Sequence, residues 1–148
     1  MNISLFRLIA IMSGFIGLVC GFLSLLPYLD GIAFFVLICF AAVIVMGLLM
    51  KSTILRIEST AEGITIGAII GFISYIAFSI IYLPLIIISA RVFHYSPNYS
   101  IAIFASHANL FILLVISVFI AIVSATINAF TGFLVYYITE LFKNMNNR

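Results

Sequence analysis

Residues 63–90 read GITIGAIIGFISYIAFSIIYLPLIIISA, an uncharged run bounded by Glu62 and Arg91. As a helix rising about 1.5 Å per residue it would extend roughly 40 Å, beyond the ~30 Å hydrocarbon core of a bilayer. Gly63, Gly67 and Gly71 recur every fourth residue, and Ser74 and Ala77 follow on the same side. At about 100° per residue these positions form one stripe. Small side chains let a second helix backbone come close, and in lipid such contact replaces the hydrophobic drive that helices lack there. The stretch predicts a membrane-spanning helix built to pack against another.

Composition extends that reading to the whole chain. Of 148 residues 66% are hydrophobic and 7% charged, and the mean hydropathy is +1.43. Soluble domains are about 45–50% apolar and about 25% charged, so a water-soluble fold is excluded and the bilayer is the solvent of a single domain. The formal charge is only +2. No basic cluster long enough for nucleic acid is present. The expected partners are the lipid bilayer and other transmembrane helices, from this chain or a larger membrane protein.

Outward from that stretch, three further spans are expected, at about residues 8–28, 32–50 and 110–139, with the central one over 61–90. The first is too long for the apolar core of a signal peptide and lacks a small-residue cleavage site, so it is retained as a span. The turn at Tyr28-Leu29-Asp30-Gly31 leads into the second, with Asp30 as the expected helix cap. Ser59-Thr60-Ala61-Glu62 fits the S-x-x-E capping box and starts the third at about Thr60. Pro84 should free the carbonyl of Ile80 and bend the last turns of that helix. From Pro97 to Lys143 one helix would run about 70 Å, too long for a single crossing. A break is expected near His107–Asn109, with an interfacial helix over 97–106 whose cap is Ser96 and whose first residue is Pro97.

Four spans arranged as two hairpins put both termini on one side. Cytoplasmic termini place Arg7, Lys51, Arg56, Lys143 and Arg148 inside and only Arg91 outside, as the positive-inside rule requires. A bacterial cytoplasmic membrane is the expected location.

Small residues recur on the other spans. Gly14, Gly17 and Gly21 share a side of the first, and Ala121, Ser124, Asn128 and Gly132 share a side of the fourth. The pattern GxxxGFxS occurs at residues 17–24 and again at 67–74, which suggests parallel repeats of the kind found in transporters. The first, third and fourth spans are therefore expected to pack through small-residue faces. The bulkier second span is expected at the periphery.

Chemistry is sparse. Asp30, Glu58, Glu62 and Glu140 all fall near span ends, where no intramembrane carboxylate marks a proton path. His94 and His107 are outside the spans and lack metal-ligand spacing. Cys20 and Cys39 read as small apolar residues. Neither a cofactor nor an enzymatic activity is expected. Asn128 is the most polar side chain within any span, and with Ser74 and Ser124 it is the candidate lining of a pathway. Its plainer reading is an interhelical hydrogen bond.

Size and span number are similar to those of small multidrug transporters, fluoride channels, phage holins and four-helix subunits of respiratory complexes. The first of these families implies a glutamate in the first span, and residues 8–28 contain none. The respiratory cytochrome subunits imply histidines within spans, whereas His94 and His107 lie outside them. The sequence thus favours a non-enzymatic protein acting through helix–helix assembly, as an accessory subunit or a homo-oligomer. A small channel or transporter is the alternative.

Overall fold

The computed structural model describes residues 3–146 as five helices in chain order. They are α1 (Ile3–Leu23), α2 (Asp30–Lys51), α3 (Thr60–Val92), α4 (Tyr99–His107) and α5 (Leu110–Asn146). All but α4 are long and apolar enough to cross a membrane. At 33 and 37 residues, α3 and α5 reach about 50–55 Å and exceed the bilayer core.

Local signals explain most helix ends. Ser59 caps α3 by accepting the Glu62 amide at 3.2 Å. Glu62 reaches back to the amide of Glu58 at 3.0 Å, one residue earlier than a standard capping box. α1 stops at Leu23, short of the expected end at residue 28. Pro27 disfavours helical backbone at Leu26, and Tyr28 turns the chain with φ 70°. α2 ends in a Schellman motif, with Ile54 N–H donating to Leu49 O at 3.1 Å and Thr53 N–H to Met50 O at 3.0 Å. Thr53 occupies the left-handed position of that motif with φ 58°. Pro84 lies inside α3, which continues to Val92. In lipid, ending a helix would strand more backbone groups than the one carbonyl a proline frees.

Two expected caps are corrected. Asp30 is the first residue of α2, and the capping position, Leu29, makes no side-chain cap bond. Asn98, not Ser96, caps α4 by accepting the Ile101 amide at 3.2 Å. Ser96 is buried and accepts instead from the Asn98 amide at 3.3 Å. The chain breaks at Ala108 and Asn109 between α4 and α5. Arg148, part of the charge bias, lies outside the described residues.

α3 is the central element and touches all four other helices. α1 runs parallel to it, with Gly17 against Ser74 and Gly21 against Phe78. α5 runs antiparallel, with Gly63 against Gly132 and Gly71 against Ser124. α2 is not peripheral, contrary to its bulky composition. It packs against α1, α3 and α5, and Leu37, Ala41, Ala42, Val45 and Met46 are fully buried. Ala41 and Ala42 let the α2 backbone come within reach of a side chain from α5. Outward faces carry large apolar groups such as Phe15, Ile80, Phe111 and Phe119. That arrangement suits lipid and would be an aggregation liability in water.

Candidate functional site

Three buried polar residues of the spans, Ser74, Ser124 and Asn128, converge where α2, α3 and α5 meet. Asn128 on α5 is fully buried. Its Oδ1 accepts the Ala42 amide at 2.8 Å. Its Nδ2 donates to Ile38 O at 2.7 Å and to Ser124 O at 3.0 Å. Ile38 O and Ala42 N–H are the acceptor and donor of one rung of α2, because a helix pairs each amide with the carbonyl four residues before it. The Asn128 carboxamide therefore grips both halves of a rung on the neighbouring helix.

Serines complete this polar seam. Ser124 Oγ donates to Gly71 O at 3.0 Å, and Ser74 Oγ donates to the same oxygen at 3.3 Å. Ser74 and Ser124 are fully buried. Each hydroxyl is directed at a helix carbonyl, which satisfies it where no water is available.

The glycines make this proximity possible. A Cβ on Gly71 would lie 2.6 Å from Ser124 O and 2.7 Å from Asn128 Cβ. On Gly67 it would overlap the carbonyl oxygen of Asn128, and on Gly132 that of Gly63. On Gly17 it would overlap the carbonyl oxygen of Ser74. Gly21 and Gly63 are less tight, with nearest atoms at 3.3 Å and 3.0 Å. Ala121 is fully buried on the same side of α5. Gly14 differs from its stripe, because a Cβ there would meet nothing within 4 Å. The two GxxxGFxS segments also differ in partner. Gly17 and Gly21 lie on α3, whereas Gly67 and Gly71 lie on α5. A two-fold relation between hairpins would return Gly67 to Ser24 on α1, so the segments are not used equivalently.

The histidines stand apart from this seam. His107 Nδ1 lies 2.9 Å from Ile103 O and 3.1 Å from Ser106 Oγ at the end of α4. Among the described residues no group of three or more His, Cys, Asp or Glu side chains is placed to hold a metal ion. Cys20 and Cys39 are free thiols.

A second site escapes the sequence reading. A cavity of about 370 Å³ opens at the end of the bundle that carries α4, between α2, α3, α4 and α5. Tyr75, Phe78 and Tyr82 of α3 and Phe34 of α2 form one connected aromatic wall. Phe78 and Tyr82 stack with centroids 4.9 Å apart, and Phe34 meets Tyr75 edge-on at 6.3 Å. The available signal was Tyr75, Phe78 and Tyr82 at helical spacing, on a face overshadowed by the glycine stripe. Asp30 and Ser24 also line the cavity. Ser24 is 1% exposed, and its Oγ is the one buried side-chain polar atom among the described residues without a hydrogen-bond partner.

No family model matches the chain, and neither a curated protein nor a solved structure matches it.

Proposed function

We propose that this chain is a small, non-enzymatic polytopic membrane protein that works through helix–helix assembly. It serves as an accessory subunit of a membrane complex or as a homo-oligomer, in a bacterial cytoplasmic membrane with both termini in the cytoplasm. The glycine face of α3 and the Ser124–Asn128–Gly132 face of α5 hold the monomer together, and α1 offers the outward contact. Gly14 is the observation that carries this reading. It belongs to the small-residue stripe of α1, yet the space beyond it is open, and Ile11, Phe15 and Leu18 around it are exposed. A small residue among bulky apolar ones is where a second helix can approach closely in lipid.

The alternative is a channel or transporter with a path along Ser74, Ser124 and Asn128. It has less support, because all three side chains are fully buried and directed at helix backbones.

The test is the mass of the protein purified in mild detergent, together with whatever copurifies. A closed oligomer, or an unrelated membrane protein at fixed stoichiometry, is expected, and Gly14→Leu should disperse it while leaving the monomer folded. A monomer in both detergent and lipid discs would overturn the reading.

A further inference from the structure

We propose that the cavity at the α4 end of the bundle is a binding site for a hydrophobic organic cation of the quaternary onium type. This goes beyond assembly and does not depend on it, since every wall comes from one chain.

Size and enclosure come first. At 370 Å³ the cavity falls in the range of about 300–1,000 Å³ typical of small-molecule sites. α4 forms its roof, with Ile101 and Phe104 in the lining. That roof is capped at its start and fastened to α3 at its end. Asn98 caps its start, and Arg91 of α3 donates to Ser106 O at its end, 3.3 Å away. Its own Ala102 and Ala105 are buried.

The chemistry of the walls selects the ligand. Phe34, Tyr75, Phe78 and Tyr82 line the cavity with aromatic rings, whose faces carry a negative quadrupole, and Phe104 joins them from the roof. Among the described residues Asp30 adds the only carboxylate of the lining, and no Lys, Arg or His lines the cavity. As the first residue of α2, it draws some benefit from the helix dipole. That dipole explains an acid at a helix start but not its place at the mouth of an aromatic cavity. Rings plus one carboxylate favour a cation with an apolar body and disfavour anions. The partnerless Ser24 hydroxyl is independent of both features. A buried hydroxyl without a partner is costly, which marks this wall of the cavity as polar and unfilled by the chain itself.

The same onium chemistry is offered by a soluble cation and by a choline lipid headgroup. The full-length protein in phosphatidylglycerol discs should bind tritiated tetraphenylphosphonium saturably, at one site per chain, above the partition into empty discs. Neutral triphenylphosphine oxide should show no saturable component. Asp30→Asn should weaken binding about tenfold and Phe34→Leu several-fold, consistent with the range of cation–π and charge contributions. Phe34 is partly exposed, so its replacement leaves the core intact, and circular dichroism checks both variants. Displacement by added phosphatidylcholine identifies the lipid headgroup as occupant, and retention identifies a soluble cation. Absence of a saturable component, equal binding of the neutral compound, or unchanged binding by folded Asp30→Asn would each overturn the proposal. None of these results bears on whether Gly14 mediates assembly.

Discussion

Asn128 Oδ1 and the Ala42 amide, 2.8 Å apart, join two helices separated by 86 positions in sequence. The partner is backbone, so the contact does not depend on which side chain Ala42 carries, provided it is small. The Nδ2 group completes the grip on Ile38 O at 2.7 Å. If the carboxamide is removed, Ile38 O and Ala42 N–H can still pair with each other along the helix. The loss is then interhelical rather than an orphaned backbone group.

Asn128→Leu should accordingly cost only about 1–2 kcal/mol, since interhelical hydrogen bonds in membranes average ~0.6 and reach ~1.7 kcal/mol. Asn128→Asp should cost more, about 3 kcal/mol, because it sets a carboxylate against the Ile38 carbonyl in the middle of the spans. Denaturation by a graded increase in SDS would rank the two. Equal losses would show that the carboxamide is not held as described. A change in solute flux with stability unchanged would favour the pathway reading.

The glycines of the α1 and α3 stripes should separate sharply. Gly67→Ala drives a methyl into the Asn128 carbonyl, and overpacking of this kind costs about 1–3 kcal/mol. Gly14→Ala meets open space and should change monomer stability by less than about 0.5 kcal/mol. The two variants can be compared in one SDS titration. Equal sensitivity would mean that α1 has a packing partner at Gly14 within the chain.

The four long apolar spans and the serine cap at Ser59 were legible because each rests on a pattern within one helix. The position of α2 was not. Its buried role comes from the backbone at Ile38 and Ala42, and backbone atoms leave no mark in a residue pattern. Composition marked α2 as bulky and hence peripheral, yet Ala41 and Ala42 sufficed to bring it inside. The sequence pattern puts the cap of α4 at Ser96 instead of Asn98 for a similar reason. Both are good caps, and the burial of Ser96 against the bundle, a tertiary effect, decides for Asn98. The cavity was hidden because its walls come from four helices, and only the three aromatics on α3 show a period.

Thr53 offers a stabilising change. Its φ of 58° places a β-branched residue in the left-handed region, at a cost of about 1–2 kcal/mol. Thr53→Gly should recover about 0.5–1 kcal/mol after allowing for the greater freedom of glycine in the unfolded chain. Thr53→Asn should fall between the two. The hydroxyl bond to Ser52 O is exposed and adds little to oppose the gain. Thermal melts in detergent would show the order Gly above Asn above Thr. A less stable glycine variant would indicate that the Schellman turn is not retained.

Orientation can be settled by labelling at two exposed positions at opposite ends of α3. Ser59 precedes α3, close in sequence to Lys51 and Arg56, whereas Tyr99 opens α4 beyond the other end of α3; both are exposed. With cytoplasmic termini, a cysteine at Ser59 is shielded from a membrane-impermeant maleimide added to intact cells, and one at Tyr99 reacts. Cys20 and Cys39 are first replaced by alanine, since both are free thiols. The charge bias behind this expectation is strong, with Arg91 the lone Lys or Arg at the α4 end among the described residues. Even that residue is engaged in holding α4 through Ser106 O, so its place there has a structural cause. Labelling at Ser59 with protection at Tyr99 would invert the topology and place the aromatic cavity on the cytoplasmic side.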